Sequence, residues 1–162
     1  QGCLVVDLLY LFDIEPTREE ERAILSEGLF RLRENYTLGC LMAFLDKYPD
    51  KAVTVYVDNK YFLDILKQWV RHPRIKMVHK KNDAKLLGAL DSPFIVYVDN
   101  NITDRWTHLP HFMMVTGATD KFYSAFDPWG GKTIKVSKDR LLNGIELLRD
   151  HVKVCPFVIT AS

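Results

Sequence analysis

Apolar residues recur at helical spacing at the start of the chain. They form a stripe so wide that little of the segment is left polar, and Asp7 is its one charged residue. The apolar positions are Leu4, Val5, Leu8, Leu9, Leu11 and Phe12. Such a pattern predicts a helix that is buried on nearly all sides, with Cys3 in its first turn.

Two further helices are indicated before residue 50. Thr17 and Glu20 have the spacing of a capping box, and three successive glutamates suit the positive end of a helix dipole. We therefore expect a second helix to begin just after Pro16. The segment 38–48 keeps helical spacing until Pro49, which ends a third helix.

The middle of the chain mixes two kinds of periodicity. Segment 52–57 is rich in β-branched residues, which favours a strand, and segment 61–70 returns to helical spacing. A short strand over 75–78 and a short helix over 83–90 follow.

From Pro93 onwards, short strand-like runs alternate with Asn, Asp and Gly turns, and a helix over 137–148 interrupts them. The runs read FIVYVD, HFMMVTG, FYSAF, KTIKV and VKVCPFVIT. Helices first and a largely antiparallel sheet afterwards indicate an α+β fold with the helices on one side, in contrast to alternating βαβ units. We expect one domain over 1–162, with a helical half near 1–50 and a sheet half near 93–162.

The composition fits one core and argues against two classes of partner. The chain has 162 residues, 48% of them hydrophobic, which is enough for a single domain. Its 22 basic and 21 acidic residues leave a net charge of +1, so no strong field attracts nucleic acid. No apolar stretch has the length of a transmembrane segment, and we expect a soluble chain.

Three cysteines at irregular spacing fit neither a disulfide framework nor a CxxC metal or redox motif. We expect Cys3, Cys40 and Cys155 to be reduced thiols, and we expect no metal ion or organic cofactor. The chain begins at Gln1 without a methionine and enters an apolar helix at once, from which we infer an N-terminus truncated or processed upstream. The cellular compartment and the oligomeric state are therefore left open.

Cys3 has the position of a candidate nucleophile. A helix N-terminus favours the thiolate, and the free backbone N–H groups there are natural donors to an oxyanion. A cysteine nucleophile also needs a base and a group that orients this base, which the fold brings together from distant parts of the chain.

His111 and Asp127 are the candidates for those two roles. His111 begins an apolar strand, where an imidazole is stable only when it is paired. Asp127 ends the next strand, before Pro128 and a pair of glycines. If these strands are antiparallel neighbours, both side chains lie at the same sheet edge, within hydrogen-bonding reach. A carboxylate in that place orients a catalytic imidazole.

The order of these residues resembles that of the C39 cysteine peptidases and their C39-like relatives in the papain-like superfamily. The resemblance covers nearly the whole chain and is most specific in HFMMVTG followed by FDPWGG. It implies a papain-like fold, a triad of Cys3, His111 and Asp127, and a glutamine that completes the oxyanion hole, for which Gln1 is the candidate. The chain departs from the family just after the cysteine, where Leu-Val replaces the usual Gly and frequent Pro.

Aromatic and imidazole side chains near the same edge are candidates for the wall of a substrate cleft. We expect Trp106, His108 and Trp129 there, because an amphipathic ring beside a catalytic edge often contacts substrate. His108 and His111 stand three residues apart, but no further ligand has metal-binding spacing, so we expect no metal site.

These residues predict a hydrolase that cleaves a peptide or amide bond in a peptide or protein substrate. Two alternatives stay open. Some members of the family have lost the cysteine and only bind peptide, so the same cleft also suits a catalytically inactive binding module. An acyl transferase would use the same triad and pass the acyl group to an amine or thiol in place of water.

Overall fold

The computed structural model describes residues 2–105 and 107–162. Its helices are α1 (Cys3–Leu11), α2 (Arg18–Arg31), α3 (Tyr36–Lys47), α4 (Lys60–Trp69), α5 (Ala84–Ala89) and α6 (Lys138–Asp150). Its strands are β1 (Val53–Val57), β2 (Ile75–His79), β3 (Phe94–Asp99), β4 (Pro110–Ala118), β5 (Phe122–Asp127), β6 (Lys132–Ser137) and β7 (Phe157–Ala161). Short 3₁₀ turns precede α3, at Arg33–Asn35, and follow β3, at Asn100–Thr103. Most of these bounds agree with the sequence predictions, but β7 begins later than expected, directly after Pro156.

The strands form one sheet in the order β2-β1-β7-β3-β4-β5-β6. Neighbouring strands are antiparallel except β1 and β2, which run parallel. The mixed α+β class and the largely antiparallel sheet are thus confirmed. One βαβ unit nevertheless occurs, which the sequence did not lead us to expect, because α4 connects the parallel β1 and β2.

Helices cover both faces of the sheet. The central strand β3 is buried along its whole length, because Ile95 and Tyr97 pack into one core and Val96 and Val98 into the other. Helices α1, α3 and α4 contribute to the core on the Tyr97 side, and α5 and α6 to the core on the Val96 side. The expectation that the helices gather on one side is therefore wrong for α5 and α6.

The start of α2 follows its sequence signal in part. The Thr17 hydroxyl accepts a hydrogen bond from the backbone N–H of Glu20 over 3.1 Å, as a capping box requires. The Glu20 carboxylate does not return the bond; it accepts from the Tyr48 hydroxyl and lies 2.9 Å from Lys47 Nζ. This carboxylate therefore ties the first turn of α2 to the end of α3.

Helices α2 and α3 touch through their backbones at Gly28 and Gly39. A Cβ at Gly28 would lie 2.5 Å from the backbone N of Cys40, and one at Gly39 would lie 2.1 Å from the carbonyl oxygen of Gly28. Only glycine permits so close an approach. The contact fixes the two helices against each other, and both contribute residues to the site beside α1.

Candidate functional site

The adjacent strands β4 and β5 bring His111 and Asp127 together. The strands are antiparallel, with Met114 opposite Phe126, so the start of β4 lies near the end of β5. His111 Nε2 lies 2.8 Å from Asp127 Oδ1, and each of the two side chains is 1% exposed. A buried histidine–aspartate pair thus stands at one edge of the sheet.

Further donors fix the orientation of the Asp127 carboxylate. Arg105 Nη2 donates to Asp127 Oδ2 over 2.9 Å, and the backbone N–H of Trp129 donates to Oδ1 over 3.0 Å. Nη1 of Arg105 donates to Asn100 Oδ1 over 3.1 Å, and the guanidinium lies 4.7 Å from the centroid of the Trp129 ring. Held from three directions, the carboxylate has little freedom to turn away from His111.

The surroundings keep His111 neutral and Asp127 ionised near neutral pH. Burial lowers the pKa of His111 below its usual value, although the hydrogen bond and charge of Asp127 act in the opposite direction. Burial raises the pKa of Asp127, but its bonds to His111 and Arg105 outweigh this effect and leave the pKa below its ordinary value. A neutral imidazole that donates from Nε2 to the carboxylate keeps a lone pair on Nδ1. His111 can therefore accept a proton at Nδ1.

Cys3 and His111 line the same pocket, which has a volume of about 560 Å³. Cys3 is the first residue of α1 and is partly exposed. The first turn of α1 therefore meets the start of β4 across one open cleft. The other walls include Glu21 of α2, Tyr36 of α3, Leu109 and Trp129.

The Cys3 thiol is not activated in the free protein. Burial raises its pKa above the ordinary value, and the charges of Asp7 and Asp127 raise this pKa further. The backbone N–H of Cys3 at the helix start does act to lower this pKa, as expected from the sequence, but the loss of solvent around the sulfur outweighs it. Cys3 is therefore a thiol at neutral pH, and its deprotonation requires a base.

Of the residues expected to form the cleft wall and the oxyanion hole, Trp129 is found in the pocket. Trp129 lines the pocket with 57% of its surface exposed. Gln1 and Trp106 lie outside the residues that the structure describes.

His108 does not line the pocket, contrary to the expectation from the sequence. Its Nδ1 lies 2.9 Å from Oδ2 of the buried Asp99, and its ring centroid is 4.4 Å from that of His151. The attraction of the buried carboxylate turns this imidazole away from the cleft, toward the end of α6.

Sequence reasoning missed Arg105 and Glu21. Arg105 follows the turn at Asp104, whose φ is 61°, and no local pattern marks an arginine in a loop as the partner of Asp127. Glu21 was interpreted only as one of three acidic residues suited to a helix start. One signal could have drawn attention to Glu21: its helix, α2, comes directly after α1, the helix of the candidate nucleophile.

Asp7 is a buried acid without a partner, one turn after Cys3 on α1. Its side chain is fully buried, and within the described residues neither carboxylate oxygen has a hydrogen-bond partner. Burial, followed by the charge of Asp127, raises the pKa of Asp7 well above its ordinary value. Asp7 is therefore protonated over a wide range of pH.

The other described residues provide no second site with a thiol beside a histidine–aspartate pair. Burial raises the pKa values of the other two thiols, Cys40 and Cys155, to about 11. Within residues 2–105 and 107–162, no cluster of His, Cys, Asp and Glu side chains is placed to hold a metal ion. Every helix in this described part is too short or too polar to cross a membrane. Comparison with protein families, curated proteins and solved structures finds no match to this chain.

Proposed function

We propose that this chain is a C39-like cysteine peptidase domain with a papain-like fold, which cleaves a peptide or amide bond through Cys3, His111 and Asp127. The observation that carries the proposal is the shared pocket of Cys3 and His111, with His111 hydrogen-bonded on its far side to the buried Asp127. Thiol, imidazole and carboxylate in this order are the parts that acyl transfer through a cysteine needs.

The protonation states of the free protein fit a mechanism in which the base acts during the attack. The Cys3 sulfur adds to the substrate carbonyl while its proton passes to Nδ1 of the neutral His111. Asp127 holds the ring and stabilises the imidazolium that forms. The backbone N–H of Cys3, at the start of α1, donates to the oxyanion.

Breakdown of the tetrahedral adduct completes the first half of the reaction. The C–N bond breaks, the leaving amine takes the proton from His111, and a thioester remains on Cys3. Water then adds to the thioester while one of its protons passes to His111. The C–S bond breaks, His111 returns the proton to the Cys3 sulfur, and the acid product is released. An amine or thiol in place of this water would give acyl transfer, which the identity of the product distinguishes from hydrolysis.

A binding module without catalysis is the second candidate. It is favoured by the raised pKa of the Cys3 thiol and by the Leu-Val dipeptide that follows the cysteine. On that account the pocket would hold a peptide, and Cys3→Ala would leave the affinity for peptide unchanged while the parent shows no turnover.

The two candidates are separated by turnover of a fluorogenic peptide library. We expect Cys3→Ala to lower the rate of amide cleavage by about 10³-fold or more, because no other group can form the thioester. Cys40→Ala is the matched control, since this buried thiol lies outside the pocket. Full activity in Cys3→Ala, or an equal loss in Cys40→Ala, would contradict the peptidase proposal.

A further inference from the structure

The pocket shared by Cys3 and His111 carries a single formal charge among its described lining residues, and that charge is negative. His111 is neutral near neutral pH because burial lowers its pKa, and no lysine or arginine lines the pocket within the described part of the chain. Among the described residues that line the pocket, Glu21 is therefore the one with an acidic side chain.

Glu21 lies directly beside the residue that precedes the candidate nucleophile. A Cβ built on Gly2 would lie 1.8 Å from Glu21 Oε1, so the carboxylate fills the space that a side chain at position 2 would take. Helix α2 is anchored to α3 at Gly28 and by Glu20, which keeps the first turn of α2 in place. The negative charge is thus held one residue away from Cys3.

Neighbouring acids on α2 form ion pairs with described residues, and Glu21 does not. Glu20 is paired with Lys47 and Glu27 with Arg31, whereas Glu21 makes no ion pair with any residue of the described ranges 2–105 and 107–162. A carboxylate that faces a pocket without an internal cation is available to a cation brought by a ligand.

The apolar part of the pocket fits the stem of such a ligand. Leu109 and Trp129 are 45% and 57% exposed although both are large and apolar, and both line the pocket. A lysine or arginine side chain combines a long apolar stem with a cationic head. Its stem can cover Leu109 and Trp129 while its head reaches Glu21.

We propose that Glu21 is a specificity residue, which selects peptides with a lysine or arginine side chain close to the bond that Cys3 attacks. The proposal rests on the peptidase function and names its substrate class. The basic side chain contributes binding through Glu21, and the scissile carbonyl is thereby placed near the Cys3 thiol.

Binding to a disarmed protein tests this selectivity without any need for turnover. The Cys3→Ala protein is titrated with fluorescein-labelled peptides built from alanine. Each peptide carries either lysine or norleucine at one position, and this position is moved along the peptide from one pair to the next. At the best position we expect the lysine peptide to bind about 10-fold more tightly, and Glu21→Gln to remove this difference. Glu21→Lys, checked for folding by circular dichroism, is expected to prefer a glutamate peptide.

A matched control and a parallel cleavage assay separate this inference from the peptidase proposal. Glu19→Gln changes an exposed acid on the same turn and is expected to leave the lysine preference intact. A preference that persists in Glu21→Gln, or no binding of any peptide, overturns the role of Glu21. The same peptides are then tested for cleavage by the chain with Cys3 intact. Selective binding without cleavage contradicts the peptidase proposal but leaves the role of Glu21 standing. Cleavage without a preference for lysine contradicts the role of Glu21 but leaves the peptidase proposal standing.

Discussion

Three donors converge on the carboxylate of Asp127: His111, Arg105 and the backbone N–H of Trp129. Burial raises the pKa of Asp127, but His111 and, after it, Arg105 lower this pKa by more, so the carboxylate stays ionised. The positive charge of Arg105 thus favours the ionised form of Asp127. The same charge acts on His111 in the opposite sense, since a nearby cation disfavours the imidazolium. At the scale of single residues, Arg105 therefore influences both the orientation of the base and the pH at which it is neutral.

Arg105→Gln tests this role through the pH dependence of the reaction. The Arg105 charge contributes to the lowering of the pKa of His111, so its removal raises that pKa. In the proposed mechanism the neutral imidazole is the active base, so activity is lost as pH falls through this pKa, and the acid limb of kcat/KM is expected to move to higher pH. The measurement is the pH profile of kcat/KM for one peptide substrate.

Arg140→Gln is the control for that profile. Arg140 pairs with Asp104 at the surface, away from His111, and its loss is expected to leave the acid limb where it is. An acid limb that stays in place in Arg105→Gln, or moves to lower pH, would contradict the assigned role of Arg105.

At the scale of elements, α1 carries the candidate nucleophile at its start and, one turn later, an acid without a hydrogen-bond partner among the described residues. The fully buried Asp7 lowers the free energy of unfolding, because its carboxyl group has lost its hydration and gains no hydrogen bond from a described residue in return. Its proximity to Cys3 and Asp127 is visible in two pKa values. After burial, the charge of Asp127 raises the pKa of Asp7, and the charges of Asp7 and Asp127 raise the pKa of Cys3.

Asp7→Asn is expected to change how stability depends on pH. The folded-state pKa of Asp7 is raised, so its contribution to stability is fully present below the unfolded pKa, near 4, and is lost as pH rises toward the folded pKa. The free energy of unfolding of the parent falls over that window by about 1.4 kcal/mol per pH unit relative to Asp7→Asn. Urea unfolding at pH 4 and pH 7 measures the difference.

The exposed Asp64 on α4 supplies the matched control for Asp7. Asp64→Asn removes the same acid at the surface and is expected to follow the parent at both pH values. A difference between Asp7→Asn and the parent that is equal at pH 4 and pH 7 would contradict a raised pKa at Asp7.

The contact of α2 with α3 gives a second prediction at this scale. In Gly28→Ala the added Cβ would lie 2.5 Å from the backbone N of Cys40, so one helix must shift. We expect the free energy of unfolding to fall by about 1–3 kcal/mol. In the control Gly88→Ala, on α5, the Cβ meets nothing within 4 Å, and a gain of up to about 1 kcal/mol is expected. Equal effects of the two substitutions in urea unfolding would contradict the close packing.

At the scale of the whole molecule, the elements were predictable and part of their assembly was not. The caps, the proline stops and the β-branched runs are local signals, which is why segments such as 52–57 and 137–148 were found close to their true bounds. Helices pack on both faces of the sheet because alternate side chains of β3 enter two separate cores. A strand that is apolar at every position except its last gives no local sign of this until its neighbours are known.

Part of the candidate site could likewise be predicted from the sequence, and part could not. The pairing of His111 with Asp127 was predictable because a short turn joins their two strands. Strands joined in this way are usually antiparallel neighbours, which brings the two side chains to the same sheet edge. Arg105, Glu21 and the environment of Cys3 depend on how a loop, α2 and α1 pack around that pair. Local reasoning assigned the helix dipole to Cys3 but had no measure of its burial, which decides the direction of its pKa shift.

The most direct test of the triad is intact-mass and peptide-mapping mass spectrometry after a brief reaction with an activated peptide ester. We predict one acyl group, as a thioester on Cys3, which forms far more slowly in His111→Ala because the thiol then lacks its base. Cys40 and Cys155, whose pKa values burial raises to about 11, should stay unmodified. Acylation spread over the three cysteines, or acylation of Cys3 at the same rate in His111→Ala, would contradict the account.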